Sequence, residues 1–145
     1  WHEHEADSDV YVLLLNGFSA INNRNPRLAA LATGWQLLSM AGFKPEYRRC
    51  VACGGNLLAN SAFSVQFGGL ICEECRTDDL PNFNADSTKL MSLLLNISLK
   101  EKNDFVAMSG TIKILEDIFA EYLCYYLGKK MNSFCFIKAL NESKE

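Results

Sequence analysis

Apolar positions along this 145-residue chain fall into helical stripes on either side of one segment with a different rhythm. Val10, Tyr11, Leu13, Leu14, Phe18 and Ile21 share one broad helical face, with Asp7, Ser8 and Asp9 as candidate caps and an end near Asn22-Asn23. Asn25-Pro26 is a restart signal, because Asn caps and Pro at the first helical position already has the right φ. Leu28, Leu31, Ala32, Trp35 and Leu38 form the stripe of the second helix, which Gly42 and Pro45 should stop. Gly34 within it suggests a close approach by another helix. A third helix carries Leu90, Met91, Leu94 and Ile97, with Asp86 or Ser87 as its cap. After a charged break over Lys100–Asp104, the longest helix follows Ser109-Gly110. Its stripe is Ile112, Leu115, Phe119, Tyr122 and Tyr126, reinforced by Ile118 and Leu123, and Gly128 ends it. Met131 to Leu140 is apolar and aromatic again.

The interruption runs from Cys50 to Cys75. Cys50-Val51-Ala52-Cys53 and Cys72-Glu73-Glu74-Cys75 are two Cys-x-x-Cys pairs with eighteen residues between them, a spacing that suits a four-thiolate zinc site. Each tight turn puts two sulfurs at two corners of a tetrahedron. Gly54-Gly55 follow the first pair and Gly68-Gly69 precede the second, where knuckle turns favour glycine. Phe63, Val65 and Phe67 alternate with small or polar residues, so the segment should be a hairpin turned at Gly68-Gly69. Little else in the stretch could form a core, and a metal is expected to hold it together. Two disulfides or a redox Cys-x-x-Cys motif would use the same residues. The first belongs to secreted scaffolds, and the second calls for one pair beside a βαβ unit.

Composition narrows the picture. The predicted fold class is mainly α: residues 1–145 form one helical domain, and residues 48–76 form a zinc-knuckle hairpin inserted within it. The formal charge is −3 and a zinc tetrathiolate would take it to about −5, which argues against wrapping nucleic acid unaided. Arg24 with Arg27, Lys44 with Arg48 and Arg49, and Lys129 with Lys130 read first as solvated faces. Six cysteines around one metal cluster suggest a reducing, cytoplasmic setting, with Cys124 a small core residue and Cys135 left over. No apolar run reaches the length of a membrane span. His2 and His4 stand far before the cysteines and are read as solvent-exposed. With no Ser/His/Asp set, phosphate loop or paired carboxylates in view, and no open position on a four-cysteine metal, an enzyme is disfavoured. A start of Trp-His-Glu-His reads as a piece of a longer protein.

The order of parts resembles a known family. Asn25-Pro26-Arg27-Leu28, then Ala41-Gly42-Phe43-Lys44-Pro45-Glu46-Tyr47, the first cysteine pair with Gly54, and Phe63-Ser64 leading through Gly68-Gly69-Leu70-Ile71 to the second pair resemble the C-terminal region of the RecO family of bacterial recombination mediators. Glu121-Tyr122-Leu123, Leu127-Gly128-Lys129-Lys130 and Ser133-Phe134 resemble the end of that family, so the likeness runs from about Asp7 to Leu140. It implies a non-enzymatic DNA repair and recombination module with one structural Zn2+ on Cys50, Cys53, Cys72 and Cys75. Family members carry an N-terminal OB-fold that binds single-stranded DNA. They help load the RecA recombinase onto DNA coated by single-strand DNA-binding protein, work with RecR and anneal strands. No run of five strands precedes Asp7, so this piece should bind single-stranded DNA weakly at most.

The helical part of the family also docks the acidic, Phe-ended tail of the single-strand DNA-binding protein, which calls for an apolar pocket rimmed by cations. Relatives often carry an Arg about ten residues before the glycine equivalent to Gly42, where this chain has Ala32, Thr33 and Gly34. Arg27, Lys129, Lys130 and Lys138, near Phe134 and Phe136, are the candidates for that contact. The rival is a stand-alone zinc-ribbon adaptor that binds nucleic acid or a polymerase-like partner, using Lys44, Arg48 and Arg49 beside the first knuckle.

Overall fold

A computed structural model describes residues 3–23, 25–77, 79–101 and 106–128, with side chains from Ser8 onward. The described residues form α1 (Glu3–Asn23), α2 (Pro26–Met40), β1 (Ala62–Ser64), β2 (Gly69–Ile71), α3 (Ala85–Asn96) and α4 (Ser109–Leu127). This is the mainly helical architecture with a small cysteine-bearing hairpin that the stripes predict. No helix among these residues is long and apolar enough to cross a membrane. The expected apolar tail, Met131 to Leu140, and most of the charged break lie outside the described residues.

α2 is the central element. Asn25 caps it by accepting from the Arg27 amide at 3.1 Å. Its end is a Schellman turn: Phe43 N–H donates to Leu38 O at 2.8 Å and Gly42 N–H to Ser39 O at 3.1 Å, with Gly42 at φ +91°. Leu28, Leu31, Ala32, Trp35 and Leu38 are all buried, as the stripe requires. Trp35 meets Phe119 and Tyr122 of α4 edge-on at centroid distances of 5.1 and 5.3 Å. A Cβ on Gly34 would run into the Phe119 ring, so this glycine allows the close approach of α4. Gln36 donates to the carbonyls of Leu94 and Ile97 at 3.0 and 2.9 Å, fastening the end of α3 to α2.

The structure corrects several expectations. α1 begins at Glu3, ahead of the candidate caps, because nothing in Glu3–Asp9 breaks a helix. It packs through Leu13, Gly17, Ala20 and Ile21, and Gly17 lies against the Thr33 side chain. Tyr11 and Phe18, expected on the packed face, are 63% and 64% exposed. The small residues Gly17 and Ala20 let two helices approach closely, and that contact overrides the larger apolar arc. α3 is capped one turn earlier than expected, by Asn84, whose Oδ1 accepts from Ser87 N–H at 2.8 Å. Asp86 lies in the first turn, and Ser87 is buried.

Two consequences can be measured. Gly34→Leu should lower stability by about 1–3 kcal/mol through overpacking against Phe119, read as a lower urea midpoint at constant slope. Burial holds the Tyr122 phenol neutral and raises its pKa above 10.0, with Tyr126 adding to the shift. A raised folded-state value means this contribution to stability is complete below pH 10.0 and is lost as pH rises above it. Tyr122→Phe should therefore flatten the alkaline loss of stability, while costing about 1 kcal/mol at neutral pH for the lost bond to Phe43 O. An unchanged alkaline slope would contradict this role.

Candidate metal centre

The site is built on the hairpin, and the helical core holds the hairpin. β1 and β2 pair antiparallel with Ala62 opposite Ile71, Phe63 opposite Leu70 and Ser64 opposite Gly69. The chain turns through Val65–Gly68, with Gly68 at φ +74°, and Gly69 already belongs to β2. The expected alternation is not kept. Ala62, Phe63, Ser64 and Val65 are all buried, while Phe67 projects from the turn. Both faces of the hairpin are covered, so a period of two cannot report which residues are inside.

Phe63, Val65 and Leu70 belong to the same core as Trp35, Met91 and Tyr122. Phe63 packs against Phe83 at 5.7 Å and Tyr122 at 6.1 Å between ring centroids. The expectation that little in this stretch could form a core is therefore corrected. The apolar side chains that anchor it point into a core contributed by residues distant in sequence. Tyr126 Oη donates to Val65 O at 3.3 Å, and Tyr122 Oη to Phe43 O at 3.0 Å. Both strand edges are covered. Glu46 bridges to Gly69, with Leu70 N–H donating to Glu46 O at 2.8 Å, and Phe83 N–H donates to Ser61 O at 2.8 Å beside the Ala62–Asn82 bridge. A Cβ on Gly69 would strike Glu46 O, which makes glycine necessary there.

On this base the two knuckles face each other. In the first, Gly54 N–H donates to Cys50 O at 2.8 Å, Cys50 N–H to Gly55 O at 2.9 Å and Gly55 N–H to Cys53 Sγ at 3.4 Å. Gly54 takes φ +73°. In the second, Cys75 and Arg76 N–H both donate to Cys72 O, at 3.1 and 3.0 Å. Cys72 N–H donates across to Cys50 Sγ at 3.3 Å, joining the knuckles. The four Sγ atoms lie within 4.8 Å of one another and could hold one metal ion. A tetrahedron with metal–sulfur bonds of about 2.3 Å has edges of about 3.8 Å. Cys53 and Cys72, one from each knuckle, have their sulfurs 3.8 Å apart. The donor set therefore suits a thiophilic ion.

Electrostatics separate Cys50 from Cys53 and Cys75. Burial disfavours the Cys50 thiolate, yet the backbone amides of Cys72, Cys53 and Ala52 outweigh it and pull the group down to about 6. Cys75 is pushed up to about 12, chiefly by its contact with Cys72. Cys50 is thus readily ionised while Cys53 and Cys75 hold their protons, so filling the site releases protons. Cys50 and Cys72 are 2% and 9% exposed, while Cys53 lies open to solvent.

Some supporting residues carried no readable signal in the sequence. The Arg76 guanidinium donates to Asn60 O at 3.1 Å, Asn82 Oδ1 at 3.3 Å and Leu80 O at 3.3 Å, tying together the loops around the second knuckle. An arginine next to a cysteine pair has no pattern to mark it. Tyr47, buried just before the first knuckle, accepts from Asn96 at 3.1 Å and so links that loop to α3. Of the partner candidates, Arg27 forms a two-pronged ion pair with Glu116 of α4, at 2.8 and 2.7 Å. Lys129, Lys130, Phe134, Phe136 and Lys138 lie outside the described residues. Lys44, Arg48 and Arg49 are exposed, and the Arg48 guanidinium sits 5.7 Å from the Tyr47 ring centroid.

Fold and site together define a helical module whose core-anchored hairpin carries four cysteines that could hold one metal ion. The chain belongs to the family described as Recombination protein O C terminal, whose family model matches residues 1–133. Among its relatives, DNA repair protein RecO of Desulforudis audaxviator is 25% identical over 143 residues, covering 97% of this chain and 57% of the relative. That of Desulforamulus reducens is 24% identical over 144 residues, covering 97% and 56%. That of Dehalococcoides mccartyi reaches 38% over 78 residues, covering 51% and 30%. The chain thus spans a little over half the length of the relatives it matches end to end. No solved structure matches it significantly.

Because the hairpin is anchored in the core, removing the metal and removing its anchor should differ. Phe63→Ala should cost about 3–5 kcal/mol. Chelation should leave the far-ultraviolet helical signal in place while opening the loops over 50–57 and 72–82 to protease. Loss of the helices on chelation alone would contradict this division.

Proposed function

We propose that the chain is the zinc-bearing helical module of a bacterial, cytoplasmic DNA repair and recombination mediator, non-enzymatic, that works by docking other proteins. The observation that carries this reading is the family match over residues 1–133. The names of the relatives, each a DNA repair protein, agree with it. Zinc is the proposed metal because four sulfurs in a closed set suit a structural zinc, and the 3.8 Å edge from Cys53 to Cys72 suits its bond length. When bound, zinc would supply a tetrahedral cross-link between the two knuckles. Cys50, Cys53, Cys72 and Cys75 would hold it, leaving no position for water or substrate, which supports a docking role over a catalytic one.

The partners proposed from the family likeness are the acidic, Phe-ended tail of single-strand DNA-binding protein and RecR. Lys129, Lys130 and Lys138 with Phe134 and Phe136 are the proposed tail contacts. Arg27 joins them only by giving up its pair with Glu116. Fluorescence anisotropy with a labelled tail peptide and with labelled single-stranded DNA tests the proposal. The peptide should bind, and reversing Lys129 and Lys130 to Glu should weaken it about tenfold. The chain alone should bind DNA weakly. Tight DNA binding that falls steeply with salt and depends on Lys44, Arg48 and Arg49 would overturn this reading in favour of a nucleic-acid-binding zinc ribbon.

A further inference from the structure

The four thiols are equal as ligands but unequal as targets. Cys50 and Cys72 are buried with Ile71 in a small apolar cluster, whereas Cys53 is open to solvent. The sulfur of Cys53 lies 3.8 Å from that of Cys72 on the opposite knuckle. An oxidant arriving from solvent therefore meets Cys53 first, and the thiol placed to resolve the product sits on the other Cys-x-x-Cys pair. The strands beneath do not depend on the metal, because Phe63, Val65 and Leu70 are packed into the helical core and Tyr126 holds the turn at Val65.

We infer that this centre is a reversible peroxide-sensitive switch, in which oxidation joins Cys53 to Cys72 and ejects the metal while the fold persists. The inference rests on the reading of the four sulfurs as a zinc centre. The Cys53 thiolate attacks a hydroperoxide oxygen; the O–O bond breaks, giving a sulfenic acid and hydroxide from hydrogen peroxide. The Cys72 thiolate then attacks the Cys53 sulfur, forming the disulfide and expelling a second hydroxide. Two electrons pass from the two thiolates to one peroxide. Two ligands are lost at once, and Cys50 and Cys75 alone do not retain the ion. A dithiol reductant takes up the disulfide by exchange and regenerates both thiolates. The anchored strands keep the four sulfurs close enough to rebind zinc.

The test uses the full chain, with its zinc content measured first by mass spectrometry. One equivalent of hydrogen peroxide is then added, and zinc release is followed with a chromogenic chelator. Disulfides are mapped by chymotryptic digestion and tandem mass spectrometry, since no Lys or Arg separates Cys50 from Cys75. The expected result is loss of one zinc per peroxide consumed, Cys53–Cys72 as the major linkage, an unchanged helical signal, and full zinc recovery on adding dithiothreitol with zinc. A different dominant pairing, zinc loss accompanied by melting of the helices, or indifference to excess peroxide would overturn the switch. A chain that holds no zinc at the outset would instead refute the metal reading, and the linkage map of that metal-free chain would still test the pairing.

Discussion

Phe63 and Leu70, two facing residues of the β1–β2 hairpin, are buried in the core of the helices. Almost everything about the site depends on that packing. A two-stranded hairpin is marginal by itself in water. Here Phe63 lies against Phe83 and Tyr122, and the turn is hydrogen-bonded to Tyr126, so the strands are part of the helical fold. The knuckles extend from strands that are already fixed. That is why the four sulfurs stand within 4.8 Å of one another, and why the hairpin's position is set by side chains far from the cysteines in sequence.

α2 and α4 provide the frame on which this depends. Gly34 lets Phe119 come down onto α2, and the Arg27–Glu116 pair closes the same interface nearer the start of α2. Trp35 is the shared contact between the helical core and Tyr122, the residue that also touches the hairpin. A substitution at α2–α4 is thus expected to reach the metal centre through Tyr122 packing, without touching a cysteine.

The sequence revealed the parts that local patterns encode. The caps at Asn25 and Gly128, the buried stripes of α2 and α4 and the four cysteines each follow from spacing or from one residue's conformational preference. It misled where tertiary packing overrides such patterns. Tyr11 and Phe18 read as core residues, but α1 docks through Gly17 and Ala20 because small residues permit closer contact than large ones. Phe63, Val65 and Phe67 read as one face of a hairpin, but the helical core covers one face, the knuckle loops pack against Ile71, and Phe67 falls in the turn. Arg76 and Tyr47 support the site by hydrogen bonds to groups from 4 to 49 positions away in the chain, and no periodicity encodes such contacts. Family likeness supplied what spacing could not, namely membership of a DNA repair and recombination family.

X-ray absorption at the zinc edge, on protein purified without added metal, tests the central claim most directly. A packing-fixed, closed set of four sulfurs predicts a single shell of four sulfur scatterers at about 2.3 Å and no lighter neighbour. A nitrogen or oxygen scatterer in the first shell would mean an open position, and the closed-site account would fail. The absence of zinc would show that this packing brings four thiols together for some purpose other than holding that ion.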